Sequence, residues 1–244
     1  MLAFWNRGRV SSLAKMKIGS VQKTSFLDYP GKISAIVFTQ GCNFACPFCH
    51  NPELVDPRLF AEPIPEKEVF AFLEKRQGQL DAVVITGGEP SIQADIIAFM
   101  ARVKELGYLV KLDTNGARPD VLEEIISQGV ADYIAMDIKA PLEKYSTVVR
   151  KEIDPEALVA SLKTIMHAPL RYEFRTTLAR SLLAPADIIA IGHMIEGAEL
   201  YALQRFVPSK HVDAAFLSER SFSEEEVASC VEGLKGLVKA CIVR

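Results

Sequence analysis

Residues 34–54 read SAIVFTQGCNFACPFCHNPEL: a β-branched apolar run, then a polar loop with Cys42, Cys46 and Cys49 in a C-x3-C-x2-C arrangement. An apolar run of this length suits a buried strand, and chemistry in parallel α/β folds gathers where such strands end. Working outward, five more runs have the same character: AVVIT (82–86), YLVKL (108–112), YIAMDI (133–138), YEFRTTL (172–178) and ELYALQRF (199–206). Amphipathic stretches separate them: PEKEVFAFLEKR, the run from Ser91 to Leu106, PDVLEEIISQG, PEALVASLKTIMH and PADIIAIGHMIE. Proline opens several of these stretches, as suits a first helical turn. Six β-α units predict an α/β fold, either an open doubly wound sheet or an incomplete barrel. A last stretch, SEEEVASCVEGLKGLVKA, is expected to close the chain as a helix capped by Ser223.

Composition narrows the class. The chain has 244 residues, 49% of them hydrophobic, with 28 Lys and Arg against 31 Asp and Glu. That balance fits a globular enzyme and lacks the basic footprint of a nucleic-acid binder. No apolar run approaches the roughly 20 residues of a membrane-spanning helix, so no membrane partner is expected. Residues 1–15 carry basic side chains and read as a flexible extension, Met16 opens the strand-like run KIGSVQK, and residues 16–244 are expected to form one domain. Five cysteines, three of them crowded into one loop, do not make a disulfide framework and point to a reducing, cytoplasmic setting.

Three thiolates from a short loop leave one iron of a four-iron cubane without a protein ligand, open to another molecule. Two other readings of the loop stand beside this one. His50 next to Cys49 would make a zinc set, although adjacent side chains rarely reach one metal. Cys230 or Cys241 as fourth ligand would make an electron carrier, although both fit the apolar side of the last helix. His167, His193 and His211 have no ligand partner at useful spacing and read as packing or surface residues.

Further polar groups fall at strand ends. TGGEP (86–90) carries Gly87, Gly88 and Glu89; DTNG (113–116) carries Asp113 and Thr114; Asp137 and Lys139 lie two apart and so share a face; Arg175 follows in the fifth strand. Taken singly, each has an ordinary reading as a Gly-rich turn, an Asn-Gly turn or a structural ion pair.

With these segments in this order, the chain resembles the radical S-adenosylmethionine (SAM) superfamily, and within it the activating enzymes of glycyl radical enzymes. The resemblance spans roughly residues 16–210 and includes the TSFLDYPGK turn and CHNPEL. It implies an incomplete (β/α)6 barrel, with a 4Fe-4S cluster on Cys42, Cys46 and Cys49 and SAM chelating the open iron. Phe48 would lie along the adenine, and Gly87, Gly88 and Glu89 would hold the methionyl ammonium. Asp113, Thr114, Asp137, Lys139 and Arg175 would position SAM, with a monovalent cation beside its carboxylate in some members. Asp28 sits where relatives have a DGPG-type turn near the protein substrate, with Tyr29 in place of a glycine.

No side chain is required as a general acid or base. The implied partners are a glycyl radical enzyme, foremost an anaerobic ribonucleoside-triphosphate reductase and next pyruvate formate-lyase, and a flavodoxin- or ferredoxin-type electron donor. With no cysteine between Cys49 and Cys230, the ferredoxin-like insertion of other activases is absent. The alternatives are a radical SAM enzyme acting on a small molecule or another peptide, and a non-enzymatic iron-sulfur or zinc protein.

Overall fold

The computed structural model describes residues 16–209 and 213–244. The expected extension at 1–15, and His211, lie outside the described residues. β1 (Ile18–Ser25) runs antiparallel to β2 (Ser34–Thr39). Each later strand is parallel to the one before it: β3 (Ala82–Gly87), β4 (Leu109–Thr114), β5 (Tyr133–Asp137), β6 (Arg171–Leu178), β7 (Tyr201–Arg205) and β8 (Cys241–Val243). Spatial order equals chain order from β1 to β8. Right-handed crossovers that always step the same way put the connecting helices on one side, so the sheet curves around its other face. Among the described residues β1 and β8 are the edges of the sheet, and the result is the expected incomplete barrel with a strand added at each side.

The helices are α1 (Glu66–Lys75), α2 (Ile96–Glu105), α3 (Pro119–Ser127), α4 (Leu142–Val149), α5 (Pro155–Met166), α6 (Pro185–Met194) and α7 (Glu224–Gly233). Strand alternation sorts the core into two layers. Val110, Leu112, Ile134 and Met136 pack outward under the helices, whereas Ile36, Ala82, Val84, Tyr133 and Ala135 fill the concave face, with Tyr29 from the β1–β2 turn. No helix of the described residues is long and apolar enough to cross a membrane.

Three segments depart from the expected pattern. α4 was hidden by β-branched residues, yet Tyr145, Val148 and Val149 bury one helical face at i, i+3 and i+4. The helix expected from Ser91 opens instead as a short 3-10 turn, Pro90–Ile92, and α2 proper starts at Ile96. The last helix is capped by Ser223 as expected but stops at Gly233, and Gly236 at φ +83° turns the chain into β8.

Candidate active site

The C-terminal ends of β2 to β7 surround one cavity of about 360 Å3. Every cofactor and metal position named from the sequence lines it: Cys42, Cys46, Cys49 and Phe48 from the β2 loop, Gly87 at the end of β3 with Gly88 and Glu89 after it, Asp113 and Thr114 from β4, Asp137 at the end of β5 with Lys139 just beyond, and Arg175 from β6. Asp28 also reaches its wall, as do Asn115, Thr177 and Gln204, which the sequence did not single out. An Asn after a strand looks like an ordinary turn residue, and nothing local marks Thr177 or Gln204.

The cysteine loop is held mainly by backbone, with one side-chain tie at Asn43. Gly41 adopts φ +98° and its N–H donates to Leu54 O at 2.7 Å, which folds the CHNPEL segment back under the loop. Cys49 N–H donates to Cys46 O at 3.1 Å, and Phe44 N–H points at the Cys42 sulfur from 3.4 Å. Asn115 Nδ2 bridges to Asn43 Oδ1 at 2.8 Å, tying this loop to the end of β4.

Among the described residues, no three His, Cys, Asp or Glu side chains converge closely enough for one metal ion. A cubane takes each cysteine on a different iron, so its thiols surround a volume and not a point, and the three thiols here ring a common space. His50 also lines the cavity, but its ring is engaged: Nε2 lies 3.1 Å from Val207 O and the ring stacks on Phe206 at 5.7 Å. Cys230 is buried in α7 and Cys241 lies in β8, neither on the cavity wall. Burial, helped by the Glu89 charge, pushes the Cys42 thiol up to about 12. Burial likewise pushes Cys46 up to about 11 despite Lys139, and raises Cys49. Without iron these thiols are neutral, and binding a cluster would release their protons.

Gly88 is required by a close approach between loops. Its N–H donates to Thr39 O at 2.8 Å, Glu89 N–H donates to Gly41 O at 2.8 Å, and a Cβ on Gly88 would stand 2.0 Å from Gly41 O. Gly88→Ala is therefore expected to displace the cysteine loop at a cost of about 1–3 kcal/mol. Iron uptake on anaerobic reconstitution should then fall well below the wild-type stoichiometry; full uptake would contradict this packing.

Glu89 is 1% exposed and works chiefly as a tie. Oε1 accepts from Ser91 N–H at 2.9 Å and the Thr114 hydroxyl at 2.7 Å, and Oε2 accepts from Asn115 N–H at 2.7 Å. A carboxylate offers about four acceptor sites, so one stays open for an ammonium. Burial raises the Glu89 carboxyl while these donors oppose the rise.

Opposite lies a chain of alternating charges. Arg175 is 12% exposed and reaches Asp137 at 2.6 Å and Asp113 at 3.1 Å; Lys139 closes on Asp137 at 2.7 Å. Burial pushes both carboxyls up, but Arg175 in each case, with Lys111 at Asp113 and Lys139 at Asp137, outweighs it and holds them below the usual carboxylate range. Both stay ionised. Lys139 and Arg175 line the cavity and are suited to a carboxylate, while buried Phe48 offers an aromatic wall with the Lys139 ammonium 5.7 Å from its centroid. Three thiols, one acceptor at Glu89 and two cations thus fit a cluster with an amino acid moiety beside it.

Comparison with known proteins agrees with this arrangement. Residues 36–178 match the family model described as the radical SAM superfamily. A protein of Methanocaldococcus jannaschii, named as a candidate glycyl-radical enzyme activating enzyme, is 32% identical over 235 residues, covering 94% of this chain and 96% of its own. The pyruvate formate-lyase-activating enzyme of Listeria monocytogenes is 34% identical over 138 residues, 50% of this chain and 53% of that one. QueE from Escherichia coli superposes with a TM-score of 0.54 over 94% of both chains, and at 14% identity that likeness concerns the fold alone. With the cysteine loop, the strand-end residues and the match over residues 36–178 in agreement, the chain belongs to the radical SAM superfamily.

Proposed function

We propose that this chain activates a glycyl radical enzyme, and that its partner is an anaerobic ribonucleoside-triphosphate reductase. The observation that carries the activase reading is the M. jannaschii relative, similar over 96% of its own length. The reductase as partner rests on the combination of QKTS, DYPGK, TQGCNF and CHNPEL in this sequence. The shorter match to pyruvate formate-lyase-activating enzymes makes that lyase the second partner to test.

Superfamily membership brings a 4Fe-4S cluster and SAM. The chemistry they supply when bound is one-electron reductive cleavage to methionine and a 5′-deoxyadenosyl radical, which takes hydrogen from a glycine Cα. The protein's own work is placement. Cys42, Cys46 and Cys49 would hold the cluster, three protein ligands for four irons. Lys139 and Arg175 would receive the methionyl carboxylate, the remaining Glu89 acceptor would take the ammonium, and Phe48 would offer its ring to the adenine. A flavodoxin- or ferredoxin-type donor supplies the electron, in the cytoplasm, and residues 16–244 act as one domain with 1–15 as an extension.

A protein substrate also suits the β1–β2 turn. Asp28 lines the cavity, and its neighbours Phe26 and Leu27 in the same turn are 71% and 90% exposed, large apolar side chains open to a partner. Replacing both with serine is expected to leave partner-free SAM cleavage unchanged while lowering glycyl radical yield roughly tenfold, as loss of interface anchors does. Equal yields from both proteins would remove this turn from the interface.

The assignment is tested by mixing the reduced protein, SAM and each candidate partner under anoxia and recording the electron paramagnetic resonance spectrum. A glycyl radical doublet with the reductase is expected. Active SAM cleavage without a doublet on either partner would contradict the activase reading, and a doublet on pyruvate formate-lyase alone would transfer it to that enzyme.

A further inference from the structure

The resemblance to activating enzymes raises a monovalent cation beside the SAM carboxylate, with Asp113 and Asp137 as the available anionic ligands. The structure does not fit that cation on grounds of charge, because each of the four carboxylate oxygens already accepts from a side-chain cation. Asp113 Oδ1 accepts from Lys111 Nζ at 2.5 Å and its Oδ2 from Arg175 Nη1 at 3.1 Å. Asp137 Oδ1 accepts from Arg175 Nε at 2.6 Å and its Oδ2 from Lys139 Nζ at 2.7 Å. Three side-chain cations thus face two carboxylates, and although each oxygen keeps acceptor capacity, a metal ion entering here would meet a positive surplus.

Lys111 is the unusual member. It is 2% exposed, and its ammonium approaches Asp113 from inside the barrel, 5.8 Å from the Tyr133 ring centroid. Unlike Lys139 and Arg175 it does not line the cavity, so it has no direct access to a ligand there. A lysine buried this deeply is costly unless paired, and its partner is Asp113.

We propose that Lys111 is a positioning residue that supplies, by covalent attachment, the charge a bound monovalent cation would bring, so that SAM binds here without sodium or potassium. With Asp113 neutralised from behind by Lys111, Arg175 and Lys139 keep their remaining donors for the SAM carboxylate. The proposal rests on the reading of this cavity as the SAM site.

The test is calorimetric titration of SAM into the anaerobically reconstituted protein, in tetramethylammonium, sodium or potassium chloride at equal ionic strength. The wild-type Kd is expected to be the same in all three salts. Lys111→Gln should bind SAM about tenfold or more weakly in tetramethylammonium, the loss of a charge-assisted contact, and recover when potassium or sodium is added. Lys111→Arg should keep the wild-type salt indifference, and decides together with the wild type if the Gln variant does not take up the cluster. Wild-type affinity that rises saturably with an alkali cation, or a Gln variant that binds normally in tetramethylammonium, would overturn the proposal alone. Absence of SAM binding in every salt would overturn the assignment of the cavity itself.

Discussion

Cys46→Ala protein, reconstituted with iron and sulfide under anoxia, is expected to retain little cluster and to release no detectable 5′-deoxyadenosine from SAM. The same holds for alanine at Cys42 or Cys49, because each thiolate is one of three protein ligands and, among the described residues, no fourth cysteine lines the cavity. The fold should survive the change. Cys42 and Cys46 are protonated well past neutral pH, at about 12 and about 11, and all three thiols are raised by burial, so the cluster-free protein already carries neutral side chains there. Circular dichroism and thermal unfolding of the apo variants should therefore match the apo wild type. Cys230→Ala and Cys241→Ala should both keep the cluster and SAM cleavage. Loss of the cluster in either would mean a fourth cysteine ligand, and with it the electron-carrier reading.

The second large effect is on stability. Arg175 is the hub of the buried charge chain, and Arg175→Met removes the one cation shared by Asp113 and Asp137. Removing one partner of a buried pair costs about 3–5 kcal/mol; with Lys111 and Lys139 still in place the lower end applies. The pH dependence has a definite sign. Both carboxyls are depressed in the folded state, Asp137 by Arg175 and Lys139 against burial, and Asp113 by Arg175 and Lys111 against burial. Their contribution is therefore present above the ordinary value of 3.8 and is lost as pH falls below it toward the folded values. Melting curves of the apo wild type should be nearly level in this respect from neutral pH to about pH 5 and drop below about pH 4. The variant starts lower and drops less steeply, so the gap narrows on acidification. A gap independent of pH would mean that Arg175 stabilises by packing alone.

Much of this was legible in the sequence, for identifiable reasons. Strands buried on both faces read as continuous apolar runs, and a period of two made Asp113, Asp137 and Lys139 conspicuous within them. Three features depend on tertiary contact and are at most partly marked in the sequence. β8 is three residues long and exists because β7 offers it an edge. Gly88 reads as a turn glycine that permits close backbone approach, and only its distance to Gly41 shows which backbone it meets and that no side chain fits. Lys111 alternates with Leu109 and Asp113 on the inner face of β4, so its direction was readable, but that its charge ends on Asp113 required coordinates.

The most direct measurement is the electron paramagnetic resonance spectrum of the anaerobically reconstituted, reduced protein with and without SAM, alongside metal analysis. About four irons per chain and a cluster signal whose g values move when SAM is added are expected from a cubane with one iron free of protein. Zinc as the sole metal, or a reduced cluster whose spectrum is indifferent to SAM, would contradict it.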